Sequence, residues 1–79
     1  MDLQKINITH EFGKRIQYLR KLRNWSQEEL SFRCGVNKNY LSDLERGTRN
    51  PTLLIIQKIS EGFGITIEEL FKGLGTYNV

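Results

Sequence analysis

The chain has 79 residues, 38% of them hydrophobic and 27% charged, with a formal net charge of +3 at neutral pH. This length suits one small domain, and no apolar run approaches the ~20 residues of a membrane span, which favours a soluble, cytoplasmic protein. One cysteine and one histidine exclude an internal disulfide and a structural zinc site of nitrogen and sulfur ligands, so no metal or other cofactor is expected.

Positive charge is concentrated in the middle of the sequence. Between Lys14 and Arg49 there are nine Lys or Arg residues against four Asp or Glu residues, whereas both flanks are close to neutral. A basic stretch of this kind is typical of a surface that binds a polyanion such as DNA, with a solvated basic face as the alternative.

Helical periodicity begins after a short N-terminal arm, expected over residues 1–8 of a single domain that spans 1–79. An apolar stripe predicts a first helix over about 10–23, with Thr9 as its cap. Gly13 lies inside this helix and costs it up to about 1 kcal/mol relative to alanine. The stripe consists of Phe12, Ile16, Leu19 and Leu22.

A capping box predicts the start of a second helix over about 27–34. In this motif the Ser26 hydroxyl accepts from the Glu29 amide, and the Glu29 carboxylate reaches back to the Ser26 amide. The inward side of the helix is predicted to hold Leu30 and Cys34, with Phe32 beside them.

A tight turn and a third helix follow. Gly35 can adopt the positive φ that favours a helix end, and Val36 can fill the angle between the two helices. Asn37 caps a third helix that ends near 46–47. Its buried side is predicted to be Tyr40, Leu41 and Leu44, and its exposed start to be Lys38, Asn39 and Ser42. Two capped helices around a glycine turn are the layout of a helix-turn-helix, whose second helix enters a DNA groove.

Two further helices complete the predicted all-α fold. Thr52 follows the only proline and caps a fourth helix over about 53–62. Thr66 opens a short fifth helix with a second capping box, and Gly73 closes it. The apolar stripe of the fourth helix consists of Leu53, Ile56, Ile59 and Phe63.

Four motifs carry a family resemblance over residues 10–72. They are W-S-Q-E-E-L at 25–30, G-V at 35–36, Y-L-S-D-L-E-R-G at 40–47 and N-P-T-L at 50–53. Together they resemble the lambda and 434 repressor family, also called Xre-like, which implies a five-helix DNA-binding domain with its helix-turn-helix in helices two and three. The run E-R-G-T-R-N-P-T is also similar to controller proteins of restriction-modification systems.

Base-reading residues are predicted at the start of the third helix, where Lys38, Asn39 and Ser42 are exposed together. A lysine suits the O6 and N7 acceptors of guanine, and an asparagine can pair with adenine, each contributing about 1–3 kcal/mol of discrimination. Ordinary helix surface is the alternative for all three residues.

A second group is assigned to phosphate contacts or to their support. The family places a glutamine like Gln27 where it bonds a phosphate and braces the recognition helix. Asp43 can accept from a cytosine amine or orient Asn39, and we prefer orientation because phosphates repel a carboxylate. Tyr40 is expected to pack in the core with its hydroxyl near DNA, and facing the groove is the alternative. The loop after the third helix adds Arg46, Thr48, Arg49 and Asn50 to the predicted phosphate contacts. The alternative for the two arginines is that they are only solvated.

A structural ion pair is implied by the same resemblance. The family pairs an arginine of helix one with the glutamate that ends helix three, and Arg20 and Glu45 match these positions. Trp25 is predicted to pack between helices one and two rather than to stack on bases. His10 and Cys34 lack a catalytic partner and are expected at a helix start and in the core.

Surplus apolar residues near the C-terminus predict an interface. They are Ile55, Ile67, Phe71 and Leu74. The family forms two-fold dimers through this end, which implies recognition helices about one DNA turn, ~34 Å, apart on a pseudo-palindromic operator. Glu28 lies where related activators present acids to RNA polymerase, so RNA polymerase is a further expected partner.

These features predict a homodimeric, sequence-specific regulator of transcription that binds double-stranded DNA, most similar to a restriction-modification controller that both activates and represses. A small phage or chromosomal repressor and an antitoxin-like protein-binding module are the alternatives. The sequence shows no nucleophile–base pair, carboxylate cluster or glycine-rich phosphate loop, so neither an enzyme nor a small-molecule ligand is expected.

Overall fold

The computed structural model describes residues 7–75, and five helices pack there around one core. They are α1 (Ile8–Leu22), α2 (Gln27–Cys34), α3 (Lys38–Glu45), α4 (Leu53–Phe63) and α5 (Ile67–Leu70). Over the described residues the regular structure is entirely helical, which confirms the predicted all-α fold. Residues 1–6 and 76–79 lie outside the described part, and with them most of the expected N-terminal arm.

Side-chain caps define the helix starts. The predicted cap of α1 is wrong, because the Asn7 side chain, two residues earlier, accepts from the His10 amide at 3.2 Å. The Thr9 hydroxyl instead donates to the Asn7 side chain at 2.8 Å, so the helix begins at Ile8. The other four helices start as predicted, with caps at Ser26, Asn37, Thr52 and Thr66.

Both predicted capping boxes are half formed. The Ser26 hydroxyl accepts from the Glu29 amide at 3.0 Å, but the Glu29 carboxylate accepts from Nε of Arg33 at 2.8 Å. In α5 the Glu69 amide is capped at 3.0 Å, while its carboxylate lies 3.3 Å from Nη2 of Arg15. The two carboxylates therefore bind arginine side chains, whereas in a complete capping box each would accept from the amide of the N-cap residue.

The buried core draws on all five helices and on the turn between α2 and α3. Its members are Phe12, Ile16, Leu19, Leu30, Cys34, Val36, Leu41, Leu44, Ile59, Phe63 and Leu70. The predicted burial of three residues is wrong, because Leu22, Phe32 and Leu53 are 61%, 85% and 83% exposed. Leu22 is the last residue of α1 and Leu53 the first residue of α4, so each lies at the end of an apolar stripe, beyond the packed core. Phe32 is two residues from Leu30, a rotation of about 200° that places it on the opposite side of α2.

Two glycines allow close contact between helices. A Cβ atom on Gly13 would lie 2.1 Å from the carbonyl oxygen of Leu44, so only glycine lets α1 approach the end of α3 this closely. A Cβ atom on Gly62 would lie 2.6 Å from the Cβ of Cys34, at the crossing of α4 and α2. At the turn after α2, Gly35 adopts the predicted left-handed conformation with φ of 68°.

Trp25 packs as predicted, but its partner is on a different helix. Its ring stacks on Phe63 of α4, with ring centroids 5.7 Å apart and planes at 3°. The Arg33 guanidinium lies 4.2 Å from the Trp25 centroid and covers the ring. Cys34 is buried as expected, and this burial raises the pKa of its thiol.

Candidate DNA-binding surface

A buried hydrogen-bonded network holds the C-terminal end of α3. Nε and Nη2 of Arg20 donate to the two carboxylate oxygens of Glu45 at 2.7 and 2.9 Å, and Nη1 donates to the Trp25 carbonyl at 2.7 Å. Nε2 of Gln27 donates to Oε1 of Glu45 at 3.1 Å. The Glu45 hydrogen bond raises the pKa of Arg20 and outweighs burial, which lowers it. The structural pair implied by the resemblance is therefore present, and Gln27 braces α3 through it.

The other end of α3 is open to solvent. The Asn37 side chain accepts from the amides of Asn39 and Tyr40 at 2.8 and 3.3 Å. It thereby gives hydrogen-bond partners to two amides that the first turn of a helix leaves without one. Lys38 and Asn39 are exposed, and Ser42 is half-buried one turn further on. Because residues three and four apart share a helix face, the structure brings the three predicted base-reading side chains together.

Lys38 also faces the neighbouring helix. Its Nζ lies 3.7 Å from Oε2 of Glu28 at the start of α2, and both side chains are largely exposed. This ion pair links the first turns of the two helices of the helix-turn-helix.

Asp43 organises the loop that follows α3. Its Oδ1 accepts from Nη2 of Arg46, and its Oδ2 accepts from Nη2 of Arg49 at 3.2 Å. The Arg49 guanidinium also lies 4.5 Å from the centroid of the Tyr40 ring. The Thr48 amide and hydroxyl both donate to the Asp43 carbonyl, at 3.0 and 3.1 Å. One residue thus fixes both loop arginines and the loop backbone beside the exposed face of α3.

One prediction about this region needs correction, and a second residue has an additional contact. Asp43 does not orient Asn39, because the longer arginine side chains three and six residues away reach both of its carboxylate oxygens. Tyr40 is half-buried against the core as predicted, and its ring also makes a cation–π contact with the Arg49 guanidinium. The sequence signal for both contacts is the spacing of Asp43, Arg46 and Arg49, which allows arginines to fold back onto the helix. Asn50 is exposed at the end of the loop, beside Pro51.

The comparisons with known proteins agree with this geometry. A family profile described as "Helix-turn-helix" matches residues 16–70, from α1 to the end of α5. The chain belongs to this helix-turn-helix family. It is 43% identical over 65 residues to the control protein C.BamHI of Bacillus amyloliquefaciens, with 81% of this chain and 80% of that relative covered.

Other relatives are of similar size. The control protein C.MunI of Mycoplasma sp. is 38% identical over 69 residues, with 86% of this chain and 93% of the relative covered. The crystal structure of the restriction-modification controller protein C.AhdI from Aeromonas hydrophila superposes with a TM-score of 0.77 at 38% identity, covering 80% of this chain and 96% of that one. The family and these relatives are transcription regulators and controller proteins, not enzymes.

The predicted dimer face of this helix-turn-helix domain is only partly exposed. Ile67 is 47% exposed, whereas Ile55, Phe71 and Leu74 are half-buried against the core. Phe71 stacks on Phe12 with ring centroids 5.0 Å apart, which gives it a partner within the chain. The sequence interpretation missed further exposed apolar side chains, because helix ends and outward positions carry no periodic signal of exposure. They include Leu53 and Leu54 on α4 and Tyr18 and Leu22 on α1.

Within residues 7–75, no group of three or more His, Cys, Asp or Glu side chains is placed to hold a metal ion. No helix described there is long and apolar enough to cross a membrane.

Proposed function

We propose that this protein is a sequence-specific DNA-binding regulator of transcription that acts as a homodimer on a pseudo-palindromic operator, as a restriction-modification controller protein. The observation that carries this proposal is the exposed first turn of α3 beside a loop that holds Arg46 and Arg49. The identity to control proteins supports the choice of controller over a phage or chromosomal repressor.

Base reading is assigned to the face of α3 that carries Lys38, Asn39 and Ser42. The lysine is a donor for guanine acceptors and the asparagine amide for adenine, and both are exposed. Phosphate contacts are assigned to the residues around this face, where they set the register of the helix on the duplex. These are Gln27, Tyr40, Arg46, Thr48, Arg49 and Asn50, with Asp43 in support.

Dimerisation is assigned to the C-terminal end of the domain. Ile67 of α5 is the most exposed of the four residues expected there, and Leu54 of α4 adds a second exposed apolar side chain. A two-fold axis through this end would repeat the recognition helix at about one DNA turn, ~34 Å.

A contact with RNA polymerase is assigned to the outer side of α2. The Glu28 side chain is 73% exposed, and Phe32, one turn later on the same face, is 85% exposed. An exposed aromatic residue beside an acid favours a protein partner. A Glu28→Ala variant that binds its operator yet activates transcription like the parent protein would remove this assignment.

The proposed function is tested by selecting duplexes from a random pool and competing the selected sequence against scrambled DNA. A two-fold symmetric motif with a specificity ratio of at least about 10³ is expected for a regulator of this class. An affinity that falls steeply with the logarithm of salt concentration is expected from phosphate contacts. A pool without a symmetric motif and a ratio near one would favour the antitoxin-like alternative.

A further inference from the structure

The three cations of α3 and of the loop that follows it all have carboxylate partners within the chain. Lys38 pairs with Glu28, and both Arg46 and Arg49 pair with Asp43. We propose that Glu28 and Asp43 determine the specificity of DNA binding by holding these cations away from non-specific phosphates. This inference rests on the proposed function and assigns these two acids a role in discrimination.

The Lys38–Glu28 pair joins two different helices. The 3.7 Å separation of Nζ and Oε2 is an ion-pair distance, and the side chains are 49% and 73% exposed. Glu28 therefore remains in water next to the cation and competes directly with any phosphate that approaches Lys38. A base acceptor in the groove differs from a phosphate. It accepts a directional hydrogen bond from the lysine but carries no full negative charge.

The Asp43 pairs are more constrained. The carboxylate is 28% exposed and uses one oxygen for each arginine, while Tyr40 lies under the Arg49 guanidinium. Arg46 also donates from Nη1 to the Ser42 hydroxyl at 3.3 Å, which ties it to the base-reading face. Each guanidinium keeps further N–H donors free, so a correctly placed duplex can be bound without breaking the Asp43 contacts.

A difference between specific and non-specific binding follows from these contacts. Non-specific binding depends on cations that reach phosphates freely, and two carboxylates on the same surface repel the duplex and restrain those cations. Specific binding gains from the same restraint, because the side chains lose less conformational freedom when they are already positioned. The two acids should therefore weaken binding to non-specific DNA more than they weaken binding to the operator.

The experiment measures dissociation constants for the selected operator and for scrambled DNA with Glu28→Gln, Asp43→Asn and the double variant. Each single variant should tighten non-specific binding about threefold to tenfold, as expected for one removed charge near phosphates. Operator affinity should change by less than that factor, so the specificity ratio falls. For scrambled DNA, the slope of log affinity against log salt should steepen by about one for Glu28→Gln and by up to about two for Asp43→Asn, one per released cation.

Glu61→Gln is the matched control. It changes the net charge by the same amount, and Glu61 lies near the end of α4 that is farther from the arginine loop, paired with Gln57 at 3.4 Å. Thermal melting of each variant reports folding, and Glu28→Gln carries the test if Asp43→Asn is destabilised.

Three outcomes would overturn the inference. The first is an unchanged specificity ratio in Glu28→Gln, because both affinities then respond to charge alike. The second is an equal effect of Glu61→Gln, which would make net charge sufficient. The third is an unchanged salt slope for scrambled DNA. Failure of the proposed function is distinguishable from these, because it appears in the parent protein as a specificity ratio near one before any variant is compared.

Discussion

Arg20 and Glu45 form a two-point ion pair, at 2.7 and 2.9 Å, that joins α1 to the last residue of α3. The Glu45 side chain is only 3% exposed, and Gln27 completes its hydrogen bonding from α2. Three helices therefore meet at one carboxylate. The direction in which α3 presents its first turn depends on this buried contact.

Removing either partner of this pair should destabilise the whole domain. Glu45→Ala leaves the Arg20 guanidinium without its partner, and we expect a loss of about 3–5 kcal/mol in the free energy of unfolding. Urea denaturation measures it. Glu29→Gln, which weakens the exposed Glu29–Arg33 pair, is the control, with an expected loss below about 1 kcal/mol. Similar losses in both variants would contradict a special role for Glu45.

Gly13 should not tolerate alanine, although alanine favours helices. The added Cβ would lie 2.1 Å from the Leu44 carbonyl oxygen, and backbone must move to admit it. We expect a net loss of about 1–3 kcal/mol, as for other overpacked sites. Gly35→Asn is the comparison, because that position has open space and asparagine accepts its positive φ. Thermal unfolding that ranks Gly13→Ala above Gly35→Asn in stability would show that α1 and α3 separate easily.

Lys38 and Arg49 should differ in the kind of binding that they support. Lys38→Ala is expected to cost about 1–3 kcal/mol against the operator and much less against scrambled DNA, because it removes a base contact. In the Asp43→Asn background, which releases Arg49, Arg49→Ala should weaken binding to operator and scrambled DNA alike and reduce the salt slope by about one, because it removes a phosphate contact. Titrations of both DNAs over a salt series separate the two patterns, and a uniform loss in Lys38→Ala would place that residue on the phosphates.

Ile67 and Phe71 should separate dimerisation from folding. Ile67 is about half exposed, so Ile67→Glu should dissociate the dimer while leaving the melting temperature of the monomer nearly unchanged. Phe71 stacks on Phe12, so Phe71→Ala should lower the free energy of unfolding by about 3–5 kcal/mol at most. Sedimentation equilibrium and thermal melting measure the two effects. A monomeric parent protein at micromolar concentration, with and without operator, would exclude the dimer itself.

Cys34 should contribute a pH-dependent part of the stability. Burial raises the pKa of its thiol above the ordinary value of 9.0, so folding favours the protonated form. This contribution is fully present below pH 9.0 and is lost as the pH rises through the folded-state pKa. The stability advantage of the parent protein over Cys34→Ala should therefore shrink above pH 9.0, measured by urea denaturation in a pH series. A constant difference between the two proteins would indicate a thiol with an unshifted pKa.

Local signals in the sequence predicted the helices well. Caps at Ser26, Asn37, Thr52 and Thr66 satisfy amides only a few residues away, so short-range spacing alone identifies them. The cap of α1 lies two residues before the predicted one, because Asn7 and Thr9 are both good caps and only the geometry selects Asn7. The same local reasoning places Lys38 and Asn39 at the exposed start of α3, since a side chain's position on a short helix follows from its distance to the cap.

The sequence by itself therefore determined the five helices, most of the core, the helix-turn-helix and the helix face that carries the candidate base-reading residues. Only the tertiary structure decided which charges on separate helices pair: Glu28 of α2 with Lys38 of α3, and Arg15 of α1 with Glu69 of α5. The physical reason is range. Capping and periodicity act over three or four residues, whereas the partner of an arginine or lysine depends on which carboxylate the packing of separate segments brings within about 4 Å.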